Sequence, residues 1–398
     1  MSLVRPRCWL LVSLAVLWTA AVAPAALVAE DAIVIEAKTQ GTIPIHLTGF
    51  PPEVENTLTF DLTVVGFEIA PAGKGQYEVR GGADPDVKAV LLEAGLNQPR
   101  FSRVYSGGNL RTQAHALSDD IVKEITKLPG IARTRIAYRC ISGQRGSHNE
   151  LLSEIYVADY DGANALPITQ DHSVAAAPAW VPGRLQILYT SYLSGYPDIY
   201  SQDLTTSARL SIAHFNGLNT SAAVSPDGSR IAMILSRTGN PSLWVANLDG
   251  SNPHQLTKSS GYEASPCWSP DGRTICFTST AEGKAALFTI PASGGTMSKL
   301  KTGGILNCTE PDWSPDGKFI AFTRASGEFK IYIVPAGGGT AEEYAAGEDP
   351  SWAPNSRTII FTRGRDPSRR LSLLDVPTRR VKDVSRISGS CSQPSWTK

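Results

Sequence analysis

Trp268-Ser269-Pro270-Asp271-Gly272 and Trp313-Ser314-Pro315-Asp316-Gly317 are two copies of one turn, and looser copies stand on either side of them. Upstream are Pro178-Ala179-Trp180-Val181-Pro182 and Val224-Ser225-Pro226-Asp227-Gly228; downstream are Trp352-Ala353-Pro354-Asn355 and Pro394-Ser395-Trp396. The anchors Trp180, Val224, Trp268, Trp313, Trp352 and Trp396 follow one another at intervals of 44, 44, 45, 39 and 44 residues. A repeat of that length is one four-stranded blade of a β-propeller.

The chemistry inside each unit supports the same reading. Pro sets φ at the first central turn position, Asp bonds its own backbone, and Gly accepts positive φ. An apolar strand follows: Ile231–Ile234, Ile275–Thr278, Ile320–Thr323 and Ile359–Thr362. After a polar loop comes a third strand, as at Asp198–Tyr200, Leu243–Val245, Leu287–Thr289 and Ile331–Ile333. A turn such as Asp249-Gly250 or Gly337-Gly338-Gly339 then leads to an outer strand, as at Gln255–Thr257. Ile131–Tyr138 reads as a second strand lacking its own leader, and Gln393–Trp396 as a leader with no blade after it. Joining the two gives a six-bladed ring, with seven as the competing count, and closure removes the exposed sheet edges.

Lys+Arg and Asp+Glu both number 37, so the formal net charge is zero and electrostatics offers no reason to expect a nucleic-acid partner. Arg5 and Arg7 precede an apolar run, Cys8–Leu17, and small residues lead up to Glu30. This pattern predicts a secretory signal peptide over residues 1–29, cut after Ala29 or Ala25, with an uncleaved anchor as the alternative. Its removal leaves Cys140, Cys267, Cys276, Cys308 and Cys391, an odd set with no Cys-x-x-Cys pair, so at least one free thiol is expected and neither zinc nor a redox motif is supported. The six His residues show no ligand spacing, and no nucleophile elbow occurs. No metal, cofactor or catalytic residue is expected.

The repeats resemble the WD40-like propeller repeats of the TolB family. Ala116–Tyr138 is similar to the helix and linker that enter that propeller, and Tyr156–Gly162 to its first blade. From the residues, that passage reads as a helix capped by Ser118 and stopped at Pro129-Gly130. The expected organisation is therefore a signal peptide over 1–29, a small α/β N-terminal domain with a linker helix over 30–128, and a six-bladed propeller over 129–398. The α/β part reads as shortened: a strand at Ile43–Leu47, a helix near Glu53–Val64, a short strand at Tyr77–Val79, and a second helix over Asp86–Gly95.

The resemblance implies a periplasmic, monomeric scaffold of the Tol-Pal system, concerned with envelope integrity and cell division. It implies binding of the lipoprotein Pal at the channel mouth and of TolA through the N-terminal segment. In that family the mouth is formed by the residues leading into each Pro-x-Trp turn. Here those leaders supply Asn219, Ser221, Glu263, Ser265, Thr309, Glu310 and Asp349, and Thr309-Glu310-Pro311 matches the family's Thr-Glu-Pro leader. Asp227, Asp271 and Asp316 are expected to form turns, and the Trp anchors to pack between blades. Two other classes remain open. The same repeats form the lid of prolyl-oligopeptidase-like hydrolases, and a propeller can also bind peptidoglycan or another carbohydrate.

Overall fold

A computed structural model describes residues 41–398 apart from Asn97 and His148. The expected signal peptide lies outside the described residues.

The N-terminal unit is a five-stranded sheet in the order Phe67–Ile69, Ile43–Thr48, Tyr77–Ala83, Val87–Glu93, Phe101–Tyr105. The first two pairings are parallel and the remaining two antiparallel. Helices α1 (Pro52–Val64) and α2 (Leu110–Thr126) pack on each other and on this sheet, burying Val54, Leu58, Leu62, Leu117 and Ile121 with Val79 and Leu91. This corrects the expectation of two strands.

Two local expectations are corrected with it. Asp86–Gly95 is no helix: Val87–Glu93 is a strand in which Val87, Ala89 and Leu91 are buried while Lys88 is exposed, the two-residue period of a sheet with one buried face. Ser118 is no cap either. Asn109 is, its Oδ1 accepting the Thr112 amide at 2.8 Å, and Ser118 lies buried inside a helix already about two turns long. The apolar stripe Leu110, Ala114, Leu117, Ile121 carries the helix upstream past the position at which Ser118 would start it.

From Arg135 onward the chain forms six four-stranded antiparallel sheets, which are the blades of a closed propeller. Blades 2 to 6 begin with the inner strands Ala175–Trp180, Asn219–Val224, Glu263–Trp268, Cys308–Trp313 and Glu348–Trp352. Blade 1 is composite: Ser390–Trp396 supplies its inner strand and Arg135–Arg145 and Leu151–Asp159 the next two. The orphan leader and the orphan blade therefore meet as expected. Cys391 stands opposite Cys140, and a disulfide joins them across 251 residues of chain.

The turns explain why the repeat is so regular. Asp227 accepts the Ser225 hydroxyl at 2.6 Å and the Ser229 amide at 3.0 Å, while Gly228 takes φ 67°. Asp271 and Asp316 repeat the arrangement with Ser269 and Ser314, and Asn355 substitutes by accepting from Arg357 and Thr358. The anchors stitch neighbouring blades: the indole of Trp268 donates to the Ala223 carbonyl of blade 3, and that of Trp180 to the Ser395 carbonyl of blade 1.

The N-terminal unit docks on blades 1 and 6 through a shared apolar core that includes Leu58, Leu117, Tyr160, Leu373 and Trp396. Asp61 of α1 sits in this junction, 2% exposed. It accepts the Tyr160 hydroxyl at 2.5 Å and hydrogen-bonds His115 Nδ1 at 2.7 Å, so one carboxylate ties α1, α2 and blade 1 together. Arg111 of α2 adds bonds to Asp159 and Asp161 of blade 1.

Candidate functional site in the propeller channel

Each inner strand packs on the inner strands of the blades beside it, so these strands surround the axis. Every one of them breaks register with its neighbour once, at a β-bulge. Within each bulge the residue three places before the anchor has positive φ: Ala177 (51°), Ser221 (56°), Ser265 (48°), Glu310 (54°), Asp349 (54°) and Gln393 (53°). Left-handed backbone is uncommon outside glycine, and a bulge is a place where the chain re-aims a side chain. Five of the six are followed by Pro, whose missing N–H suits a position where the ladder is interrupted. The result is a ring of six half-buried residues around the channel.

The ring is polar and uneven. On the side of blades 5, 6 and 1, each side chain accepts a hydrogen bond from the backbone of the next ring residue. The Asp349 amide donates to Glu310 Oε2 at 3.0 Å, the Gln393 amide to Asp349 Oδ2 at 3.1 Å, and the Ala177 amide to Gln393 Oε1 at 3.0 Å. Hydroxyls of the second strands brace the acids: Thr323 donates to Glu310 at 2.7 Å and Thr362 to Asp349 at 3.0 Å. The opposite side carries only the methyl of Ala177 and the hydroxyls of Ser221 and Ser265. There the Ser221 amide donates to Thr190 instead.

Burial dominates the electrostatics. It pushes the Glu310 carboxyl up to about 8, with repulsion from Asp349 adding to it. Burial likewise raises Asp349, and it raises Glu348 to about 7 against the opposing pull of Arg369. The shift favours the protonated form of Glu310. Arg139 is 8% exposed on the second strand of blade 1, and its Nε has no partner; the Oγ1 atoms of Thr278 and Thr309 are also buried without one. Among the described residues no group of three or more His, Cys, Asp or Glu side chains could hold a metal ion.

The seven residues singled out in the sequence fall into two sets. Ser221, Ser265, Glu310 and Asp349 stand on the ring, and Thr309 precedes Glu310 with its hydroxyl unpartnered. Asn219 and Glu263 occupy the first position of their strands and are buried, 0% and 2% exposed. Their polar atoms are consumed inside the chain: Asn219 pins Phe215, Pro197 and Asp198, and Glu263 accepts from Thr257 and Ser259. Ala177 and Gln393 complete the ring and were missed, although both stand three residues before an anchor and spacing alone could have found them.

A closed six-bladed propeller with a polar channel and an α/β unit docked on two blades defines the class of this protein. The family model of the TolB beta propeller domain matches residues 122–398. The chain belongs to that family. It is 29% identical over 197 residues to the Tol-Pal system protein TolB of Alcanivorax borkumensis, covering 49% of this chain and 44% of that protein. It is 34% identical over 161 residues to the Tol-Pal system protein TolB of Anaeromyxobacter sp. (strain K), covering 40% and 32%. The matches thus span less than half the length of these relatives. The crystal structure of TolB from Acinetobacter baumannii superposes with a TM-score of 0.81 at 23% identity, covering 91% of this chain and 98% of that one, which shows a shared fold.

Proposed function

We propose that this chain is a non-catalytic binding scaffold of the Tol-Pal envelope system, working in the periplasm. In this reading it holds the lipoprotein Pal at the channel mouth and engages TolA through its N-terminal segment. The observation that carries it is the ring of left-handed residues. A protein that only had to close a propeller has no need to place two half-buried acids, an amide and two hydroxyls around one axis at the cost of non-glycine positive φ. Both described hydrogen bonds to Glu310 fall on Oε2, which leaves Oε1 for a ligand. A protonated Glu310 suits a backbone carbonyl of a protein partner, and Ser221 and Ser265 offer either polarity on the opposite side.

The test is capture of purified Pal by the folded chain and by two variants. Glu310→Lys puts a cation where the ring carries an acid, and Ser265→Arg fills the open side; each is expected to weaken Pal binding at least about tenfold, or ~1.4 kcal/mol. Wild-type affinity in both variants, with unchanged near-UV circular dichroism, would exclude the channel mouth as the contact. Removal of residues before Gly41 is expected to abolish TolA capture and leave Pal capture intact.

A further inference from the structure

We propose that blade 4 carries a second, latent disulfide: Cys267 and Cys276 join to one another when the chain meets a disulfide oxidant. The two residues are direct cross-strand partners between the inner and second strands of the blade. Directly opposed residues in an antiparallel pair lie roughly 4.5–5.5 Å apart at Cα and share one face of the sheet. That separation lies within the range a disulfide spans. Both are buried, 7% and 0% exposed, and lie in one apolar cluster.

The same pair of strands in blade 1 already holds the Cys140–Cys391 bond, with Cα atoms 4.2 Å apart. In a six-bladed ring blades 1 and 4 stand opposite one another, so the second bond would tie inner strand to second strand at both ends of one diameter. It would bracket the Ser269–Gly272 turn and pin the strand that presents Ser265 to the channel. Cys308, the remaining described free thiol, lies in the same apolar cluster but starts the inner strand of blade 5, and it donates to the Ile305 carbonyl at 3.3 Å. It is not the cross-strand partner of either cysteine.

The reaction is an exchange with a small-molecule disulfide such as oxidised glutathione. One thiol loses its proton and attacks a sulfur of the oxidant, releasing one glutathione thiolate and leaving a mixed disulfide. The other cysteine, once deprotonated, then displaces the second glutathione, so two protein thiols are oxidised and one disulfide is reduced to two thiols. Burial holds the Cys267 thiol well above its ordinary value, so the closed blade protects the pair and the exchange runs while the blade is open.

The full chain is equilibrated in mild urea with stepped ratios of reduced to oxidised glutathione, quenched in acid, alkylated and digested with trypsin. Arg273 separates the two cysteines, so a bond between them joins peptide 259–273 to peptide 274–284. The expected result is that joined species, with two of the three described free thiols lost and Cys308 alkylated. A Cys308→Ser variant should give the same joined peptides. Cys267 and Cys276 both remaining alkylated at every ratio at which Cys140–Cys391 is complete would overturn the proposal. So would a bond from either one to Cys308.

Discussion

Replacing Glu310 by Gln tests the electrostatics of the channel. Gln keeps the shape and the acceptor for the Asp349 amide and the Thr323 hydroxyl, and it stands in for the protonated acid. In the folded chain the Glu310 carboxyl is raised from 4.5 to about 8, mainly by burial. Between those two values the folded chain holds a proton that the unfolded chain has released. Stability therefore falls as pH rises from about 4.5 to about 8 and levels off above. At 1.36 kcal/mol per pH unit the upper figure is about 5 kcal/mol. The residue is only half-buried, so screening lowers this to roughly 2 kcal/mol.

Urea unfolding of both proteins at pH 5, 7 and 9 reads the difference. The variant should match wild type at pH 5 and exceed it by roughly 2 kcal/mol at pH 9. Part of the wild-type slope belongs to Glu348, raised to about 7, and persists in the variant. Parallel stability profiles for the two proteins across this range would refute the reasoning.

Three other outcomes follow from the geometry. Asp61→Ala leaves the Tyr160 hydroxyl and the His115 ring without their buried acceptor and should cost about 3 kcal/mol in urea unfolding; a loss under about 1 kcal/mol would mean that the junction rests on apolar packing alone. Cys391→Ser opens a loop of 251 residues, for which chain entropy predicts a loss of about 5.5 kcal/mol, measured as a lowered unfolding midpoint under non-reducing conditions. Asp227 is held near 2 by the Ser225 hydroxyl first, then by the Ser229 hydroxyl and amide. Its contribution to stability is present above the ordinary 3.8 and lost as pH falls through about 2, and carboxyl-carbon NMR should place its midpoint there.

The blades were legible because their signals are local. A Ser-Pro-Asp-Gly turn closes on itself within a few residues, and an aromatic anchor at a constant interval needs no distant partner to be recognised. The same locality carried the ring closure, since Gln393–Trp396 is a leader wherever it occurs. Local reading failed where two patterns competed. Val87–Glu93 buries every second residue as far as Leu91, yet it was read as a helix. Ser118 is a good cap residue by type, but the apolar stripe that begins at Leu110 runs through it.

The channel divides along the same line. Spacing from the anchors brought Ser221, Ser265, Glu310 and Asp349 into view as leaders, and it could have added Ala177 and Gln393. What tertiary structure alone decided is how these residues are used. The passing of hydrogen bonds from Glu310 through Asp349 and Gln393 to Ala177 arises between blades, while positive φ at each bulge and the burial that raises the Glu310 carboxyl come from strand pairing and packing. The Cys140–Cys391 bond within blade 1 and the hold of Asp61 on Tyr160 likewise join partners that stand 251 and 99 residues apart. A turn is written in neighbouring residues; a contact between blades exists only once the ring has closed.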